Sequence, residues 1–370
     1  MRDYLDEVKT RLIAGADEAA GSRGRHRRLL AIAPVLMPVA LVAAVVLASA
    51  TSAPGPPRSP VPAGFNPVSF TAIGDSQWWL LGGRNGTTHP GTWIVETENG
   101  GRSFFGIPAP PSTQVHQLRF ANAADGYAFG TQLWSTHSGG ASWRRVAVSG
   151  DVSEVAASDG WVYALVRTSD GGGRLLRSPA ARDAWRPATG LVGFPSSGLW
   201  AHGPMVMVET QTRTGSTSHL LVSSDFGGHF RLAGPAPPSV ACQFESTPPV
   251  IWAPCATGTM SGVWRSTDGG ATFVGVGGDA TRSGIPEEPN SAGFAAASPA
   301  IAVYGFQQLW RTNDAGADWS RVPSTTSEWW FYLGFTDPTH GIALGGFHSG
   351  NRVYYTTNGG RSYRYVAIRG

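Results

Sequence analysis

Few side chains in this sequence are placed to do chemistry. Glu154, Glu245, His116 and Arg119 fall on stretches of alternating apolar and polar residues, with Trp200 and Trp329 on stretches of the same kind. Together they are the candidate ligand residues. Carboxylates accept hydrogen bonds, a guanidinium offers a forked donor, and an indole face stacks on sugars or apolar groups. Glycoside hydrolysis would need two carboxyls held across space, which spacing along a chain does not show. Glu287 and Glu288 are adjacent, so in an extended segment they point to opposite sides and suit a solvated loop. There is no Gly-x-Ser-x-Gly elbow, Walker loop or dinucleotide fingerprint, and no cofactor is expected. Asp170 to Gly173 makes a hairpin turn; no helix follows it to cradle a phosphate. The two cysteines, Cys242 and Cys255, have no histidine pair near them, so no metal site is expected either. On neighbouring strands in an oxidising compartment they would form a disulfide.

What must position these residues is a repeated turn. Ser266-Thr267-Asp268-Gly269-Gly270-Ala271-Thr272-Phe273 has the form Ser-x-Asp-x-Gly-x-Thr-aromatic. Asp bonds its own downstream backbone, Gly supplies a left-handed residue, and the aromatic anchors the hairpin. The octet recurs from Thr97, Thr136, Ser223, Thr312 and Thr356, with Asn99, Ser138, Asp225, Asp314 and Asn358 in the place of Asp268. A degenerate copy, Ser178 to Trp185, keeps only the Ser and the Trp. Successive copies lie 39 to 46 residues apart. A period in that range with short strands marks a four-stranded propeller blade. The fold class is therefore all-β: a seven-bladed β-propeller of four-stranded antiparallel blades, preceded by one transmembrane helix.

Blade 2 is the clearest, with strands expected at Val115–Phe120, Gly126–Gly130, Leu133–Thr136 and Trp143–Val148. In such a blade the octet joins the third and outer strands, so all seven copies share one rim. The opposite rim carries the longer loops, 84–91, 106–113, 211–218 and 277–293. Long loops on a rigid scaffold are where binding concentrates, which makes that rim the candidate functional face. Trp200 and Trp329, on expected inner strands, are placed to reach the channel mouth beside His116, Arg119, Glu154 and Glu245. Closure of the ring is expected from packing between blades, unless the linker near Phe65 adds a strand.

The N-terminal region is different in kind. Residues 1–28 form an arm, part helical, ending in the basic cluster Arg23 to Arg28. Residues 29–50 carry no charge and are long enough to span a bilayer core of about 30 Å. The arginines before them place the N-terminus in the cytoplasm and the propeller outside it. Small-residue triplets near residue 50 also fit a cleaved signal peptide, but the long arm and long apolar run favour an uncleaved anchor in the cell membrane. Residues 51–65 are a Pro- and Ser-rich linker, and 66–370 the propeller. Seven of the 28 Lys and Arg and five of the 25 Asp and Glu lie in 1–53, leaving the rest near neutrality at 21 against 20. No basic field is present of the kind that binds nucleic acid.

The octet resembles the Asp-box, or bacterial neuraminidase repeat. Sialidases also carry an Arg-Ile-Pro segment, an arginine triad and a Tyr–Glu pair; here the nearest segment, Gly284-Ile285-Pro286, lacks the arginine. Blade 2 runs Leu118-Arg119-Phe120, Asp125-Gly126-Tyr127-Ala128-Phe129-Gly130, Leu133-Trp134-Ser135-Thr136 and then the octet. Blade 7 repeats that phrase from Leu333 to the octet at Thr356. The phrase resembles the photosystem II assembly and stability factor family of plants and cyanobacteria. That resemblance implies a seven-bladed, non-enzymatic binder of membrane-protein partners. The expected function is a binding scaffold or assembly factor for an envelope protein. A sialidase-like hydrolase or a module that binds cell-wall glycan is the alternative.

Overall fold

The computed structural model describes residues 55–84, 93–169, 171–194, 196–211, 218–235, 237, 241–256, 260–278, 288–289, 293–305, 307–323, 329–346 and 350–369. The arm, the apolar run and most of the loops at 84–91, 211–218 and 277–293 lie outside these residues. The strands form seven antiparallel sheets in chain order. Blade 1 comprises Phe65–Ala72, Trp78–Arg84, Trp93–Thr97 and Phe105–Ile107, counted from the inner strand outward. Blade 2 comprises Val115–Phe120, Gly126–Gly130, Leu133–Thr136 and Arg144–Val146. Blade 3 begins at Asp151–Ser158, blade 4 at Ser196–His202, blade 6 at Gly293–Ala296 and blade 7 at Trp330–Phe335.

Blade 5 departs from four simple strands. Its inner strand is split into Ala241–Cys242 and Glu245–Thr247, both paired with Val250–Ala256. Pro254 stands at the break. Its carbonyl accepts from the Gln243 N–H at 2.9 Å, but with no N–H of its own it cannot complete the ladder. Cys242 is directly opposite Cys255, and the two form a disulfide. Glu288–Pro289 adds a short strand beside Met260–Ser266.

The octets build the turns between third and outer strands through one hydrogen-bond pattern. In the copy at Ser266, the Ser266 hydroxyl donates to Asp268 at 2.8 Å and accepts from the Gly270 N–H at 2.9 Å. Asp268 in turn accepts from the Thr272 N–H at 2.9 Å and the Thr272 hydroxyl at 2.6 Å. The fourth and fifth positions are left-handed, which Gly adopts freely. Phe226 and Ala315 take the fourth position at φ 58° and 64° without that freedom. In the degenerate copy Ser178 still accepts from a backbone N–H, that of Ala184, but bonds the Arg182 carbonyl where the others bond an Asp, Asn or Ser side chain. The octet turn also ties to the hairpin between the first and second strands of its own blade. The N–H groups of Gly100, Gly139, Phe226, Ala315 and Gly359 donate to the carbonyls of Ser76, Ala124, Pro204, Ala300 and Thr339. Both sets of hairpins therefore lie on one rim, the octet rim; the opposite one is the open rim.

Blades pack through strand alternation. Adjacent Trp78 and Trp79 point to opposite faces of blade 1, and both are fully buried. Trp78 meets Tyr355 of blade 7 at 4.8 Å, and Trp79 stacks on Phe120 of blade 2 at 3.9 Å. Blade 7 draws all four strands from the C-terminal stretch, so the ring closes by packing of blade 7 on blade 1. The Phe104 N–H donates to the Arg369 carbonyl at 3.0 Å across that seam. The linker does not extend blade 7. Residues 55–64 run against the outer strand of blade 1, where Ser59 and Gly106 exchange backbone hydrogen bonds.

Candidate functional site

The centre of the ring is built from inner strands that share an irregularity. In blades 1, 2, 3, 4 and 7 the pairing with the second strand skips one residue near the open rim. The extra residues are Val68, His116, Ser153, Ser197 and Phe331. A bulge re-aims the side chain it carries. At two of these positions the result is an exposed side chain at the channel mouth: His116 and Phe331. Phe331 and Trp329 are each 38% exposed; Phe331 lies at the open-rim end of the blade 7 inner strand, and Trp329, expected on that strand, immediately precedes it. Large apolar side chains this exposed are few among the described residues, the others being Ile73, Val274 and Tyr365.

Deeper in the channel, polar side chains are spent on the next blade. Ser69 accepts from the Leu118 N–H at 3.1 Å and Thr71 from the Phe120 N–H at 3.2 Å, joining blades 1 and 2. Arg119 donates to the Val155 carbonyl at 3.2 Å, joining blades 2 and 3. Glu154 accepts from the Leu199 N–H at 3.0 Å, and Glu245 from the Ala296 N–H at 2.7 Å. Between blades 4 and 5 the acceptor is Glu209, on a second strand, bonded to the Cys242 N–H at 2.9 Å. It stands opposite Gly198. Asn351 closes the ring, donating to the Pro67 carbonyl at 2.7 Å and, through its N–H, to Asn66 at 2.6 Å.

The sequence-derived residues therefore separate into groups. Arg119, Glu154 and Glu245 lie on inner strands as expected, each with a polar atom committed to a neighbouring blade. His116 and Trp329 reach the open mouth. Trp200 does not join them: its ring stacks on His202 at 5.7 Å and packs into the core between blades 4 and 5. Asn99, Ser138, Asp225, Asp268, Asp314 and Asn358 all sit in octet turns, each bonded to its own downstream backbone. Sequence reasoning missed Phe331, although the unbroken aromatic run from Trp329 to Tyr332 marks the spot. It also missed Ser69, Thr71, Glu209 and Asn351, which look like ordinary strand residues until the neighbouring blade is in place.

Burial sets the charge state of the centre. It pushes Glu154 up to about 7, against the opposing pull of the Leu199 N–H and Arg119. It pushes Glu245 up to about 7 as well, offset only by the Ala296 N–H. For Arg119 burial works against the charge, but Tyr332 and Glu154 beside it outweigh that and raise its pKa. Glu154 and Glu245 belong to blades 3 and 5, each with one oxygen holding a backbone N–H. As placed they serve as acceptors in the scaffold. Among the described residues no group of three or more His, Cys, Asp or Glu could hold a metal ion.

No family model matches the chain, and no curated protein matches it. Solved structures share its fold. A structure of YCF48 bound to D1 peptide is 13% identical with a TM-score of 0.57, covering 82% of this chain and 96% of that one. YCF48 from Cyanidioschyzon merolae is 13% identical with a TM-score of 0.56, covering 82% of this chain and 99% of that one. A puromycin hydrolase is 15% identical with a TM-score of 0.61, covering 82% of this chain but 54% of the hydrolase. At these identities the likeness is one of fold, a seven-bladed propeller.

Proposed function

We propose that this chain is a membrane-anchored, extracytoplasmic propeller that binds a protein partner as a scaffold or assembly factor and performs no catalysis. Residues 29–50 are the anchor, and the partner is an envelope or membrane protein. The observation that carries the reading is the use made of the central polar residues. Arg119, Glu154 and Glu245, the best-placed side chains for chemistry, are tied to the backbones of adjacent blades. A general acid or nucleophile must instead be free to meet a substrate. What the open mouth offers is exposed apolar surface at Trp329 and Phe331 with His116. Aromatic side chains of this kind are the usual anchors of protein interfaces. The likeness in fold to YCF48, solved with a bound peptide, agrees with this use of a propeller.

The test is affinity capture of the crosslinked full chain from the membranes of its own cells. The Trp329→Ala, Phe331→Ala double variant is carried in parallel. A partner recovered with the parent chain and reduced about tenfold in the variant supports the proposal, as expected for loss of a hot spot worth at least 1.4 kcal/mol. Hydrolysis or retention of purified wall glycans by the chain, with no protein recovered, would replace it with the glycan reading.

A further inference from the structure

The strap at 55–64 fixes how the propeller stands on its anchor. Pro56 lies against the octet turn of blade 2: a Cβ built on Gly139 would stand 3.8 Å from its ring and 2.9 Å from the Ala123 carbonyl of the adjoining hairpin. Pro56 is therefore at the octet rim. From there the strap passes the outer strand of blade 1, held by the Ser59–Gly106 pair of backbone hydrogen bonds at 2.9 and 2.8 Å. Arg58 fastens it further, with Glu98 at 2.7 Å and its guanidinium 4.0 Å above the Phe105 ring. Gly106 makes the approach feasible, because a Cβ there would meet the Ser59 hydroxyl at 2.7 Å. Val61 packs into the core between blades 7 and 1, and Phe65 opens the inner strand at the open rim.

The uncharged run ends at Ala50, six residues before Pro56. Fully extended, six residues reach at most about 20 Å. The eight-residue inner strand of blade 1, Phe65–Ala72, is alone about 26 Å long at roughly 3.3 Å per residue. With Pro56 clamped to the octet rim, the leash is too short for the open rim to lie on the bilayer. We infer that the octet rim faces the membrane and the open rim, with Trp329 and Phe331, points away from it. This rests on the anchored reading above and refines its partner. The surface bound at the open mouth belongs to a soluble envelope protein or to a domain standing clear of the bilayer, and not to a segment within it.

The test uses the full chain reconstituted into vesicles that carry acceptor dyes on their headgroups. Single cysteines are labelled at Ala271→Cys and Ala317→Cys on the octet rim, and at Thr131→Cys and Gln307→Cys on the open rim. All four positions are exposed, and the native cysteines stay in their disulfide. The expected result is donor quenching at least twofold stronger at both octet-rim sites than at either open-rim site. Pairing each label with Arg58→Ala and Ser59→Pro, which remove the ion pair and a bridging N–H, should shrink that difference. Equal quenching at the two rims, or stronger quenching at the open rim, in chains that float with the vesicles overturns the orientation and leaves the anchor standing. Chains that fail to float with the vesicles overturn the anchor and the orientation together.

Discussion

Replacing Glu245 by Gln should stabilise the fold at alkaline pH and change little in mild acid. Glu245 is half-buried, accepts the Ala296 N–H at 2.7 Å, and has its pKa raised by burial from 4.5 to about 7. Between those two values the folded chain holds a proton that the unfolded chain has released. Stability from this group is therefore intact below the unfolded pKa and declines as pH rises through about 7. Glu154 acts in the same direction over the same window. At 1.36 kcal/mol per unit the full penalty above the window would be roughly 3 kcal/mol, and access of water to a half-buried carboxylate reduces it to about 1–2 kcal/mol. Glutamine keeps the oxygen that accepts the Ala296 N–H and removes the charge. Denaturant unfolding of the detergent-solubilised chain at about pH 5 and about pH 8.5 would separate the terms. The variant should gain about 1–2 kcal/mol over the parent at the higher pH and differ by less than about 0.5 kcal/mol at the lower. Glu245→Ala, which also removes the charge but strands the Ala296 N–H, should be roughly 1–3 kcal/mol less stable than the Gln variant at both. A Gln variant destabilised equally at the two pH values would refute the reasoning, because the charge would then carry no penalty.

Other outcomes follow from the turns and seams. Gly359→Ala should cost at least about 1 kcal/mol in thermal unfolding, since its φ is 66° and a Cβ would stand 2.8 Å from the Pro338 carbonyl. Ala315→Gly, at the matching position of blade 6 with φ 64°, should be neutral or stabilising. Arg311→Ala should lose about 1.5–3 kcal/mol, because its buried guanidinium donates to the Gly359 carbonyl of the next blade at 2.6 Å. Reducing the Cys242–Cys255 bridge, which spans 13 residues, should lower stability by roughly 2–3 kcal/mol. Intact mass under non-reducing conditions should confirm that neither thiol is free.

The blades were legible in the sequence because the octet is local chemistry. A Ser or Thr, an Asp, Asn or Ser two residues on, and a Gly two further make the same bonds in whichever blade they fall. Blade 2, with a clean copy and short loops, has three strands at the bounds its pattern predicts. Blade 3, with the degenerate copy, has an outer strand running from Arg186 to Phe194, nine residues against three in the outer strands of blades 1 and 2. Pairing there continues past two register shifts, whose unpaired residues include Gly193 and Gly190. The centre was less legible. An inner-strand Glu has the same pattern whether it faces a ligand or staples the next blade, and only the packed ring distinguishes them. The bulges that expose His116 and Phe331 are invisible for the same reason, since register is settled between strands. Three seams did leave a trace. Arg177, Arg265 and Arg311 each immediately precede an octet, and each donates to the fourth-position carbonyl of the octet in the next blade, those of Phe226, Ala315 and Gly359.

In the function proposed above, the open mouth holds a protein through its exposed aromatics. A photo-crosslinking amino acid placed at Phe331 in the full chain, in its own cells, tests it most directly. The same probe at Tyr365, exposed on the outer strand of blade 7, serves as the reference. One discrete protein adduct is expected at Phe331, and none of that mass at Tyr365. The same adduct at both positions, or an adduct at Tyr365 alone, would contradict it.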